Sequence, residues 1–246
     1  MNFKVKRFLR LASTYGTLIL FCAIALYPVL QVVTISLRPA DRLLSTSLEI
    51  IPANATLNNY ISLFRDRPFL VWMRNSIFVS LVVTVTGVVF AAMTGYAFSR
   101  FNFIGKKIGL LSLLTTQMFP ATMLLLPLYI MLINLGLINT YLGGITIYTA
   151  TALPFTIWTM KGYYDTIPYT LEEAARIDGC NQWQAFYMVI LPLAAPALVI
   201  TALFSFMTAW AEYLVAAQIL QDSNLWTLPL GLKSFESNMS TEWGLY

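Results

Sequence analysis

Residues Glu172–Pro196, EEAARIDGCNQWQAFYMVILPLAAP, form a charged, helix-patterned passage between two long apolar runs. Three of the chain's eleven acidic residues fall within it. Thr170-Leu171-Glu172-Glu173 just ahead has capping-box spacing, which predicts that the Thr170 hydroxyl accepts from the third helical N–H while Glu173 reaches back. Leu171, Ala174, Ala175 and Asp178 recur at i, i+3, i+4, i+7 and are expected to share one face. Adjacent alanines there admit another surface closely. Glu172 and Arg176, four apart, read as a modest surface pair. Gly179 suits the left-handed residue that closes a helix. Asn181 and Gln184 then repeat the capping spacing for a second helix, bulky with Trp183, Phe186 and Tyr187 and ended by Pro192. A helix resting on lipid headgroups would show a basic polar face; this face is mainly acidic, so the expectation is a helix–turn–helix built for protein docking.

The rest of the chain explains why such a segment is out of place. Of its 246 residues, 58% are hydrophobic and only 11% charged, with a mean hydropathy of +0.70. A soluble domain is about a quarter charged, so the composition predicts an all-α polytopic membrane bundle. The net charge of +4 is modest and no basic stripe interleaved with aromatics occurs, which argues against nucleic acid as a partner. Histidine is absent, which removes the commonest metal ligand and general base. Cys22 and Cys180 form no CxxC or Cys/His cluster, so neither a disulfide nor a metal site is expected.

Apolar runs of about 18 residues or more read as spanning helices. Five are expected, at about residues 13–34, 76–98, 108–133, 141–160 and 193–220, with a connection over 161–192. Lys4, Lys6, Arg7 and Arg10 in the N-terminal tail, and Arg100, Lys106 and Lys107 after the second span, assign both flanks to the cytoplasm. Parity then places the 161–192 connection on the same side. Asn54-Ala55-Thr56 fits a glycosylation triplet too common by chance to weigh. The first span is expected to be an uncleaved anchor, since its apolar run exceeds a signal-peptide core and no small-x-small cleavage site follows Tyr27-Pro28. Trp243-Gly244-Leu245-Tyr246 has the look of the start of a sixth helix.

Glu173-Ala174-Ala175, three residues, Gly179, nine residues, then Val189-Ile190-Leu191-Pro192 resembles the EAA loop of ABC importer permeases, E-A-A-x3-G-x9-I-x-L-P, with Val189 as the one departure. Further stretches are similar to carbohydrate-importer permeases, above all the MalG-like group of maltose/maltodextrin importers. These are Leu57-Asn58-Asn59-Tyr60, Asn75-Ser76, Gly95 to Arg100, Met118-Phe119-Pro120, Leu137-Ile138-Asn139-Thr140, Trp158 to Tyr163 and Thr227 to Gly231. The resemblance implies a single ABC-importer transmembrane domain over 1–246 in the bacterial inner membrane, with a six-helix pattern. It implies a second permease subunit (MalF-like), an ATPase dimer (MalK-like) and an extracytoplasmic sugar-binding protein as partners, beside membrane lipid. On that reading Glu173, Ala174, Ala175, Arg176, Asp178, Gly179, Leu191 and Pro192 couple the chain to the ATPase.

The only Gly-Lys pair, Gly105-Lys106, has Arg100 where a phosphate-binding loop needs its first glycine, so hydrolysis falls to the partner. No cofactor is expected on this chain, ATP and Mg being used by the ATPase. Glu212 is the one acid inside a span and a functional candidate by that fact. Trp210 and Tyr213 beside it are able to stack on a sugar, and equally to form an interfacial aromatic belt. By resemblance, the loop holding Ser237 and Asn238 reaches the binding protein. A proton- or sodium-coupled secondary transporter is the competing reading; it would want several intramembrane acids or two matching halves, and one acid with no visible repeat is present.

Overall fold

The computed structural model describes residues 3–39, 54–236 and 245. Helix is the only regular structure among them. In chain order these are α1 (Phe3–Ser36), α2 (Asn58–Arg65), α3 (Phe69–Arg100), α4 (Lys106–Thr116), α5 (Ala121–Asn134), α6 (Tyr141–Thr166), α7 (Thr170–Ile177) and α8 (Gln182–Ala185). A π-helical stretch, Phe186–Ile190, leads to α9 (Leu191–Leu193), α10 (Ala195–Ala211), α11 (Leu214–Ile219), a 3₁₀ turn at Ser223–Leu225 and α12 (Leu228–Lys233). Helices suit this composition because lipid offers no hydrogen-bond partner to a bare backbone. Residues 10–36 of α1 and the whole of α3 are each long and apolar enough to cross a bilayer.

The chain packs as two compact units. In one, Phe69–Gly231, the long helices α3, α6 and α10 pack against one another. Its interior forms two clusters. Tyr96, Ile157, Met160, Tyr164, Phe186 and Ile190 belong to one, and Val83, Leu132, Ile147, Tyr148, Val215 and Ile219 to the other. Small residues let these helices approach closely, as is common in membrane bundles. At Gly95 of α3, a Cβ would sit 2.8 Å from Met160 Cβ and 3.0 Å from the Lys161 backbone nitrogen. The other unit comprises the described residues of Met1–Pro68 and Leu232–Tyr246. There Tyr60 and Ser36 hydroxyls meet at 2.7 Å, and the Asn59 amide donates to the Ser36 and Arg38 carbonyls at 3.0 and 3.1 Å. The Asn59-Tyr60 pair thus ties α2 to the end of α1.

Two of the five expected spans are broken helices. The third divides into α4 and α5 at Gln117–Pro120, where Pro120 lacks an N–H and disfavours helix at Phe119. The fifth stops at Ala211 and restarts at Leu214. Glu212 is extended there, with ψ 123°. The helix that carries the fourth expected span, 141–160, runs six residues beyond it, to Thr166 in the connection. Inside a bilayer such breaks are tolerated only where protein or a cavity surrounds them. The suspected sixth helix start at Trp243–Tyr246 lies, apart from Leu245, outside the described residues.

Candidate functional site

The helix–turn–helix after α6 forms largely as its local chemistry dictates. Gly179 has φ +93°. Its N–H donates to the Arg176 carbonyl at 3.1 Å, and the Cys180 N–H donates to the Ala175 carbonyl at 2.9 Å. These two bonds make a Schellman closure. Asn181 then starts α8 with a complete capping box. Its carboxamide oxygen accepts from the Gln184 N–H at 2.9 Å, and the Gln184 side chain accepts from the Asn181 N–H at 2.7 Å.

The expected Thr170 capping box does not form. Tyr169 is already α-helical, and its carbonyl and that of Pro168 take the N–H groups of Leu171, Glu172 and Glu173. With those donors satisfied by backbone, Thr170 sits inside the helix. The predicted common face is also divided. Ala175 is buried on the side where α7 packs with α8 and the π-helical stretch, whereas Leu171, Glu173, Ala174, Ile177 and Asp178 are exposed, Ile177 at 86%. One alanine of the pair therefore seats α7, and the other faces out.

Glu172 is the larger correction. Instead of pairing with Arg176 on the surface, it is buried, with 5% of its side chain exposed. One carboxylate oxygen accepts from Arg100 Nε and the other from the Tyr96 hydroxyl, at 2.9 Å. Arg100 also donates to the Ile167 carbonyl at 2.9 Å, and its guanidinium lies 5.8 Å from the Tyr169 ring centroid. Tyr96 in turn packs on Phe186 at 4.5 Å between centroids. The last turn of α3 thereby holds the start of the segment, α7 itself and the stretch beyond α8. Gly95–Arg100 is one of the stretches similar to carbohydrate-importer permeases, and the four-residue spacing of Tyr96 and Arg100, which puts them on one face of α3, is its local signal.

Nearby, Asp165 on α6 accepts from Lys161 and from Ser99 of α3. Burial pushes its carboxyl upward, but those two donors outweigh it and hold the group below the usual carboxylate value. Beyond the π-helical stretch, the chain bends by 78° between the helical run 182–193 and α10. The turn falls at buried Ala194, two residues after the expected stop at Pro192. Leu191 is partly buried and Pro192 exposed.

A second feature lies where the two broken helices meet. A cavity of about 370 Å³ is lined by Gln117, Tyr148, Thr151, Thr156, Thr208 and Glu212 among apolar side chains that include Phe155 and Phe204. Gln117 donates to the Thr151 carbonyl at 3.1 Å. Glu212 accepts the Val215 N–H at 2.9 Å, which caps α11. Neither Trp210 nor Tyr213 lines this cavity; Trp210 stacks on Phe206 at 5.5 Å. Gln117 and the threonines went unnoticed in the sequence because isolated polar residues in apolar runs commonly bond their own helix. Ser237 and Asn238 lie outside the described residues.

The other quoted motifs tie the opposite end of α3 to the segment after α11. The Asn75 amide donates to the Asn224 and Trp226 carbonyls at 2.8 and 3.0 Å, and Ser76 Oγ accepts the Leu228 N–H at 2.6 Å. Asn139, at φ 57°, accepts from the Gln221 and Asp222 N–H groups at 2.9 and 3.0 Å.

These features make a helical bundle of membrane-protein character in which a short helix, α7, is held at one end of α3. Residues 59–244 match the family described as binding-protein-dependent transport system inner membrane component, and the chain belongs to that family of ABC importer permeases. It is 35% identical to the galactooligosaccharides transport system permease protein GanQ of Bacillus subtilis, covering 94% of this chain and 82% of that one. It is 34% identical to the maltose/maltodextrin permease protein MalG of Photorhabdus laumondii, covering 96% and 84%. It is 37% identical to the trehalose permease protein SugB of Mycobacterium tuberculosis, covering 89% and 79%. A crystal structure of a bacterial ABC transporter involved in import of the acidic polysaccharide alginate shares the fold, with a TM-score of 0.81 at 24% identity over 100% of this chain and 91% of that one.

Proposed function

We propose that this chain is one of two permease subunits of an ATP-driven, binding-protein-dependent oligosaccharide importer, with maltose or maltodextrin as cargo. The observation that carries the reading is the exposed face of α7, with Leu171, Glu173, Ala174, Ile177 and Asp178 turned away from the bundle. An ATPase subunit docks there. Ala174 and Gly179 admit its groove closely, while Glu173, Arg176 and Asp178 supply charge-assisted contacts; Leu191 and Pro192 frame the far end. ATP and Mg are handled by that ATPase dimer, which resembles MalK. The second permease is MalF-like and completes the pore. The assembly lies in the bacterial inner membrane with the N-terminus in the cytoplasm, and a sugar-binding protein delivers cargo from outside.

ATPase closure opens the permease pair toward the binding protein, and hydrolysis returns it inward. The cavity containing Glu212, Gln117 and Thr208 lies on the sugar path, its aromatic and polar lining suiting a carbohydrate's apolar faces and hydroxyls. Permease proteins for galactooligosaccharides, trehalose and maltodextrin are all similar to this chain, so cargo is tested directly. The purified complex is offered binding protein loaded with each sugar, and ATP hydrolysis is followed. Stimulation by the maltodextrin-loaded form supports the proposal. Sugar uptake that survives ATP depletion and collapses with the proton gradient would overturn it in favour of ion coupling.

A further inference from the structure

Resting on the docking of an ATPase to α7, a displacement of that helix has three routes into the membrane helices. Two are covalent, and each is interrupted. Backward, α7 joins α6 through Ile167, extended at ψ 122°, and Pro168. Forward, the path crosses the left-handed turn at Gly179, a π-helical stretch at Phe186–Ile190 and a 78° bend before α10. Such interruptions absorb movement where a continuous helix transmits it.

The third route has no break. Glu172 is bonded to Arg100 and Tyr96, both in the last turns of α3. Arg100 also grips the Ile167 carbonyl and faces the Tyr169 ring, and Tyr96 packs on Phe186. The ion pair is almost fully buried, with 8% and 5% of the side chains exposed, so water does not loosen it. From that grip α3 continues as one helix of 32 residues to its other end. There Asn75 and Ser76 hold the 224–228 segment.

We propose that Arg100 and Glu172 are positioning residues for transport: they form the joint through which α7 moves α3, and α3 is the rod that carries the stroke across the bundle. Glu172 thus has a different task from its neighbour Glu173. Glu173 faces the ATPase, and Glu172 faces the bundle.

The test uses the whole importer, ATPase and second permease included, reconstituted in liposomes with binding protein and sugar. Sugar imported per ATP hydrolysed is measured for Glu172→Gln and Arg100→Lys beside Glu173→Lys. The joint predicts that Glu172→Gln keeps the ATPase in the purified complex and keeps hydrolysis, while import per ATP falls about tenfold, the scale of a coupling free energy between sites. Arg100→Lys, which retains the charge, falls less. Glu173→Lys instead loses the ATPase. An unchanged ratio in Glu172→Gln overturns the joint. So does loss of the ATPase from that variant, which would make Glu172 a docking residue. Should Glu172→Gln fail to accumulate, Arg100→Lys carries the measurement, and an unchanged ratio there also overturns the joint. Failure of the unsubstituted chain to retain the ATPase would instead sink the docking reading.

Discussion

Arg100 and Glu172, separated by 72 residues in sequence, meet as a buried ion pair that fastens α7 to the end of α3. Its burial sets the consequence of breaking it. Removing one partner leaves a charge unmatched in a poorly hydrated site, which costs about 3–5 kcal/mol in buried pairs. Glu172→Ala and Arg100→Ala are each expected to lower the melting temperature of the detergent-solubilised protein markedly. The double variant should be less destabilised than the sum of the two. Additive effects in that cycle would mean the pair is not coupled.

Gly179 occupies the left-handed region at φ +93°. A branched side chain there costs about 1–2 kcal/mol in backbone conformation, and asparagine much less. On the proposed docking of an ATPase to α7, Gly179→Val should therefore weaken its co-purification while Gly179→Asn retains most of it. Equal behaviour of the two variants would exclude backbone conformation as the cause.

Gly95 lies so near α6 that an added methyl meets Met160 Cβ and the Lys161 backbone at once. Neither can step aside as a flexible side-chain tip would. Gly95→Ala is expected to destabilise by about 1–3 kcal/mol, the usual range for overpacking. A thermal shift of the purified protein checks it; a gain in stability would show that the helices separate freely.

Glu212 both caps α11 and lines the cavity, and two substitutions separate the roles. Glu212→Ala loses the cap, at about 1 kcal/mol. Glu212→Gln retains an oxygen acceptor and should keep most of the stability. If the carboxylate also contacts sugar, Glu212→Gln raises the KM for uptake with little thermal shift. A normal KM limits Glu212 to its structural role.

Asp165 offers a pH test. Lys161 and Ser99 hold its carboxyl below the usual value, so the folded state binds its proton less readily than the unfolded chain. The stability from these contacts is complete above the ordinary carboxylate range and is lost as pH falls through the lowered pKa. Acid melting curves should show that loss in the unsubstituted protein and less of it in Asp165→Asn.

Two local closures in the 170–193 segment formed as their spacing predicts. The Asn181–Gln184 box and the Gly179 turn involve partners three to five residues apart, so their chemistry is complete within the segment. The Thr170 box had the same spacing and failed, because Tyr169 entered the helix and backbone carbonyls took the donors. The breaks at Gln117–Pro120 and Glu212 were hidden inside apolar runs, where hydropathy measures composition and not continuity. Pro120 is a local cue to the first, whereas nothing local to Glu212 says that its carboxylate caps the next helix.

The sequence alone determined that this is a helical membrane protein with an EAA segment, because low charge, apolar run length and motif spacing are properties of the chain itself. It could not assign opposite surroundings to Glu172, which is buried, and Glu173, which is exposed. Two adjacent carboxylates on one helix differ by about 100° in direction, and nothing local says which one turns inward. Only packing decided that, by bringing the distant Arg100 and Tyr96 beneath α7 and making a surface charge into a buried one.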